Sequence, residues 1–212
     1  MKLIHFLPAL ALLIGCQSEI DNKTAAEVAP VEAPTAKPAP EAPAAASAAA
    51  MPGGALKLLP SSTIEFVGAK VTTDHTGGFK TLSGHATIAD NTVKEAMVEI
   101  DVGSVYSDHP KLTQHLMSDD FFDVSKFTTA TFQITEVAAG EGELSTVTGT
   151  LDLHGVQKQI TFPATVQTTE NSASISAEFT LMRMDFGVSY PGKPDNLIRD
   201  EVLVKGTLSF GS

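Results

Sequence analysis

The strongest constraint on this chain is an alternation of apolar and polar side chains with a period of two. It recurs through a series of short segments, and no long helical pattern is available to cover them. From 146 to 154, Val147, Gly149, Leu151 and Leu153 share one face, while Thr146, Thr148, Thr150, Asp152 and His154 share the other. Over 159–166 the apolar face is Ile160, Phe162, Ala164 and Val166; over 172–181 it is Ile175, Ala177, Phe179 and Leu181. Over 201–210 it is Val202, Val204, Gly206, Leu208 and Phe210. Segments 63–71, 79–89, 94–103 and 130–138 complete a set of eight predicted strands. A period of two marks a strand with one buried face. Asp90-Asn91, Gly140–Gly142, His154-Gly155 and Glu170-Asn171 supply turn chemistry, and Gly77-Gly78 reads as a hairpin turn. Short links make neighbouring strands antiparallel. One-faced strands without helices must cover one another, as a closed barrel or a two-sheet sandwich. Eight strands closed on themselves leave room for packed side chains or for one small ligand.

The region 107–127 breaks the alternation. Ser107-Asp108-His109-Pro110 reads as a helix cap with proline in the first turn. Leu112, His115, Leu116 and Asp119 follow at helical spacing, and then come Phe121, Phe122 and Phe127. A short helix with an aromatic-rich connection would close or gate one end of a barrel. The same phenylalanines would serve equally as ordinary core.

The amino terminus is a separate matter. Lys2 precedes an apolar run over 6–14 that is too short to span a bilayer as a helix. Leu13-Ile14-Gly15-Cys16 resembles the bacterial lipobox, which implies a signal peptide over 1–15 and acyl chains on Cys16. Acyl chains anchor a protein without spanning the membrane. Gln17, where an inner-membrane retention signal has Asp, implies the outer membrane facing the periplasm. The stretch 16–55 reads as a flexible Ala/Pro-rich tether that lets the following domain, 56–212, stand clear of the membrane.

Several function classes are excluded or weakened. The formal net charge is −11, with 14 basic against 25 acidic residues, which argues against nucleic acid and against a polybasic grip on anionic lipid. One cysteine makes neither a disulfide framework nor a thiolate metal site. There is no Gly-x-Ser-x-Gly elbow and no phosphate-cradling glycine loop. His109 and His115 are six apart, not at the i,i+4 spacing of a helical metal pair. A membrane-spanning barrel is disfavoured by the absence of Trp and by a polar second face with mid-strand Glu and Lys.

Across the domain, a series of motifs resembles the YceI family of periplasmic lipid-binding proteins. They are Ser62–Phe66, Gly77-Gly78-Phe79, Ile100-Asp101-Val102, the run Lys111–Asp123, and Ala130-Thr131-Phe132. Val147–Val156, Thr161-Phe162-Pro163, Arg183–Gly187 and Tyr190–Asp200 follow in order. Many members carry Arg-Asp shortly before the His-Leu pair, where this chain has Leu112-Thr113. The resemblance implies an all-β, eight-stranded antiparallel, lipocalin-like barrel with one short helix and an apolar lumen. It implies that the lumen holds a long amphiphile: an isoprenoid, a quinone or a fatty acid derivative. No enzymatic cofactor and no metal is expected.

The lumen-facing candidates are Phe66, Phe79, Leu116, Phe121, Phe122, Phe132, Leu151, Phe162 and Phe179. Candidates for a polar mouth that meets the head group are His115, Asp119, Arg183, Asp185 and Tyr190. The partners expected are the lipid, the membrane through Cys16, and a second copy of the chain through apolar edges at the mouth. Two other readings stay open: a stress-protection or interaction module with an incidental cavity, and an enzyme acting on a lipid.

Overall fold

The computed structural model describes residues 18–31, 55–140 and 142–212. Cys16 and the stretch 32–54 of the expected tether lie outside them. Eight strand positions form the wall. β1 is Leu56–Leu58 continued by Thr63–Lys70, β2 is Asp74–Phe79 continued by Leu82–Ala89, and β3 is Thr92–Asp101 continued by Val105–Ser107. β4 is Thr129–Ala139, β5 Ser145–Leu153, β6 Val156–Thr169, β7 Ser172–Met182 and β8 Asn196–Gly211.

Each position pairs antiparallel with the next in the chain. β8 then pairs with β1, through Leu203↔Val67 and Phe210↔Leu58, and the ring closes. The fold is a closed eight-stranded antiparallel barrel. The inward face carries the predicted alternation: Ala96 and Val98 on β3, Ile134 on β4, Val147 on β5, Ile160 and Phe162 on β6, Ile175 and Phe179 on β7.

The tight links are two-residue hairpins. Asp90-Asn91 and His154-Gly155 hold positive φ at both positions (53° and 53°; 55° and 74°). That is the primed turn whose twist matches paired strands. Gly77-Gly78 corrects the sequence reading, because both glycines lie within β2. A Cβ on Gly77 would stand 2.5 Å from Phe66 Cζ and from the Tyr106 carbonyl oxygen. The glycine makes room for an inward ring, not for a chain reversal.

One end of the barrel carries all the long connections. There α1, Pro110–Leu116, is capped by His109, whose Nδ1 accepts from the Lys111 N–H (3.3 Å). The β7–β8 connection opens with a 3-10 turn, Arg183–Phe186, that ends at Gly187 with φ 76°. The opposite end has the short Asp90-Asn91 and Glu170-Asn171 turns.

Residues 18–31 are the main departure from expectation. They do not hang free but strap the outer wall. Ile20 is buried against Val67, Ala69 and Leu203, which face outward and would otherwise be wet. Asp21 pairs with Arg199 (2.8 Å), Glu19 with Lys205 (2.6 Å) and Lys23 with Glu178 (3.0 Å). β6 and β7 pair only from Ala164↔Ala177 towards their turn. Into the gap beyond that point runs Glu27–Pro30, antiparallel to β6, while the Ala26 and Thr180 N–H groups bond to Thr180 and Thr24 carbonyls (2.9 Å each). Pro163, which has no N–H to give a ladder, sits where β6 leaves β7. A polar, proline-bearing segment is ordered because it completes ladder hydrogen bonds that would otherwise stay open.

Lys205 and Arg199 hold the Glu19 and Asp21 carboxyls below the ordinary carboxylate range. A depressed folded pKa contributes stability that is full above the unfolded value and lost as pH falls through the folded one. The strap is therefore expected to loosen below about pH 4. Hydrogen exchange at Ala26 and Thr180 should accelerate there before the rest of β7, and high salt at neutral pH should act in the same direction.

Candidate functional site

The inward faces enclose a continuous apolar lumen. Its lower part holds a cavity of about 110 Å³, walled among others by Ile134, Ile160, Ile175 and Leu208. Its upper part holds a cavity of about 190 Å³ and reaches α1 and the β7–β8 connection. Ile64, Ile100, Leu151, Leu181 and Val204 line both parts. All nine predicted lumen residues are on these walls. Phe132, Phe162 and Phe179 line the lower part, Phe66, Phe79, Leu116, Phe121 and Phe122 the upper, and Leu151 both.

Phe162 and Phe179 stack at 4.1 Å and 14°, with Phe132 5.7 Å from Phe162. In the upper part Phe66, Phe79 and Phe122 form an edge-on triangle with centroids 5.7–6.4 Å apart. Above them Leu116, Phe121, Val105 and Val188 make a small separate core, with Tyr190 and Ile198 against it. α1 and the β7–β8 connection thus plug the upper end with apolar side chains. Two glycines widen the lumen, Gly206, which the sequence places on the apolar face, and Gly68, which the sequence reading missed: a Cβ on either meets no heavy atom within 4 Å.

The five predicted mouth residues separate. Arg183 lines the upper cavity and is only 6 % exposed. Its guanidinium donates to the carbonyls of Val188 (2.6 Å), Arg199 (3.0 Å) and Ile198 (3.5 Å). Among the described residues no carboxylate lies within 4 Å of it. Burial pushes the guanidinium below its ordinary pKa, and the nearby Asp200 carboxylate pulls it partly back. Asp200 itself accepts from the Met184 N–H (2.9 Å).

His115 and Tyr190 stay together, rings 5.0 Å apart, both edge-on or tilted to Phe121. His115 Nε2 meets Asp120 Oδ2 at 2.8 Å, not Asp119, which is exposed. The helix ends at Leu116, so the i,i+4 geometry that favoured Asp119 no longer holds and the following turn presents Asp120. Asp185 leaves the mouth and bonds Lys158 Nζ (2.9 Å). Two residues apart on a 3-10 turn, Arg183 and Asp185 point in different directions. Glu65 borders the upper cavity, but its carboxylate lies on the outer wall and accepts from the Tyr106 hydroxyl (3.3 Å). Arg183 is thus a buried charged side chain at the border of the lumen, with its guanidinium turned to backbone carbonyls and only apolar surface presented to the cavity.

Residues 59–210 match the YceI-like domain family. A UPF0312 protein of Pseudomonas putida (strain W619) is 33 % identical over 138 residues, which cover 61 % of this chain and 72 % of that one. A UPF0312 protein of Vibrio vulnificus (strain YJ016) is 42 % identical over 91 residues, 42 % of this chain and 48 % of its own. Among solved structures, a polyisoprenoid binding domain from Saccharophagus degradans superposes with TM-score 0.62 at 23 % identity, over 75 % of this chain and 98 % of that one. BcnA of Burkholderia cenocepacia superposes with TM-score 0.61 at 24 % identity, over 70 % and 95 %. At these identities the superpositions speak for the barrel fold.

Arg183 ties the β7–β8 connection to the wall through hydrogen bonds from a charged donor. Arg183→Met should lower stability by roughly 1.5–3 kcal/mol, the range for such bonds. Urea denaturation of the two proteins measures it.

Proposed function

The chain belongs to the YceI-like domain family, and on that premise we propose that its barrel binds a long-chain amphiphile, an isoprenoid, quinone or fatty acid derivative. The domain carries or sequesters this ligand in the cell envelope. It is tied there to the outer membrane, facing the periplasm, by acyl chains on Cys16. The observation that carries this reading is the lumen itself: from Leu208 below to Phe121 above, the wall presents apolar surface, with Arg183 at its border near one end. A long hydrocarbon tail gains about 25 cal/mol per Å² removed from water, and such a wall makes no demand on its detailed chemistry. The polyisoprenoid binding domain from Saccharophagus degradans shares this fold. The site is read as a binding site because no nucleophile–base pair faces the lumen among the described residues.

The head group sits in this reading at the α1 end of the lumen, the end that also carries His115 and Tyr190. Arg183 borders the cavity there with no carboxylate partner of its own, and a turn of its guanidinium from the backbone carbonyls towards the ligand would favour an acceptor-rich or anionic head.

Native mass spectrometry of the full chain, extracted gently from its membrane, should find a bound lipid. Empty protein that takes up nothing from a lipid panel would overturn the reading. Gly206→Leu fills vacant lumen without a backbone clash. It should weaken uptake at least tenfold, about 1.4 kcal/mol, while folding is kept or improved. At pH 7 oleate should bind at least tenfold tighter than oleyl alcohol, measured by displacement of a fluorescent lipid. Equal affinity would remove Arg183 from the head-group role.

A further inference from the structure

The large apolar side chains left exposed are not scattered evenly. Val71 is 76 % exposed, Leu197 50 %, Met184 47 % and Met182 38 %, and all four belong to the end that carries the upper cavity. They are neighbours in register. The Val71 N–H bonds to the Leu197 carbonyl, Met182 pairs with Glu201, and the Met184 N–H bonds to Asp200, so β8 residues 197–201 link them into one rim. They also alternate with the cavity wall: Ile198 follows Leu197 into the cavity, and Arg183 turns in between Met182 and Met184. The opposite end shows the short Asp90-Asn91 and Glu170-Asn171 turns, with Leu144 and Leu59 exposed there at 44 % and 37 %.

The strap starts at this same rim. Ser18 Oγ donates to Asp74 Oδ2 (2.7 Å), just across the β1–β2 turn from Val71. Asp21 holds Arg199 beside Leu197 and Ile198. Cys16 stands two residues before Ser18, a reach of at most about 7 Å. The rim's charges are mixed and largely paired, with Arg199 on Asp21 and Glu201 and Lys158 on Asp185. An apolar rim of mixed charge suits a neutral, zwitterionic lipid surface better than an anionic one.

We propose that the α1 end of the barrel docks on a lipid bilayer through Val71, Met182, Met184 and Leu197, so that the amphiphile passes between bilayer and lumen without crossing water. The strap holds this orientation: it fixes the chain leading from Cys16 at the rim and prevents the barrel from swinging on a loose leash. The passage of ligand rests on the proposed lumen site, whereas the docking does not.

The chain's one cysteine makes the test clean. Val71→Cys or Leu197→Cys at the rim, and Leu144→Cys at the far end, are each labelled with an environment-sensitive dye. The full chain is placed in phosphatidylcholine vesicles through the acyl chains of Cys16, or, should intact mass find none, mixed with them as Cys16→Ser protein. The rim labels should shift to the blue and be shielded from an aqueous quencher at least fivefold more than the Leu144 label. Equal shielding at both ends overturns the proposal. A shift that develops with protein concentration and without vesicles overturns it too, in favour of rim-to-rim pairing of two copies. In a Val71→Ser, Met184→Ser, Leu197→Ser variant, lipid uptake from vesicles should slow at least tenfold while uptake from detergent is unchanged. Equal uptake from vesicles by wild type and variant would overturn the passage through the rim, whereas absence of uptake from both sources in the wild type would strike the lumen reading and leave the docking result standing.

Discussion

Everything in this molecule depends on the closing of β8 against β1. Closure commits every inward side chain to one shared interior. Because β8 pairs along its length with β7 on one side and with both pieces of β1 on the other, it is also the staff on which the site is mounted. Val204, Gly206 and Leu208 face the lumen from it, and Ile198 reaches the upper cavity. Its carbonyls at 198 and 199 receive the Arg183 guanidinium.

The interior that results is not filled evenly. Phe132, Phe162 and Phe179 pack the lower part, whereas Gly68 and Gly206 leave the β1–β8 wall thin. Paired strands tolerate such glycines at some cost in stability, and the space they free is the space a ligand would use. The upper end is closed by side chains of α1 and of the β7–β8 connection, not by ladder hydrogen bonds. That plug is a small core of its own, and its opening need not disturb the barrel.

The wall has one weak seam, where β6 and β7 part, and the strap lies in it. Val67, Ala69 and Leu203 on the outer face break the alternation that β1 and β8 otherwise keep. Ile20 covers them, a large apolar residue in a segment that reads as tether. The pairing itself was not legible, because nothing local links positions so far apart. Asp120 was missed for Asp119 for a related reason: helical spacing was extended one turn past the point at which the helix stops. The Gly77-Gly78 pair, read as a turn, lies inside a strand because the partner that needs its missing side chains, Phe66, is on another strand.

What the sequence determined by itself is which face of each strand is apolar, where most strands turn, and hence that the chain must close around an apolar interior. That follows because alternation and turn chemistry are local properties of a few adjacent residues. Only the tertiary structure decided how much of the interior stays empty, that Arg183 borders it while Asp185 does not, and that residues 18–31 belong to the wall. Those outcomes depend on side chains brought together from distant segments, and on which hydrogen bonds are left for another part of the chain to complete.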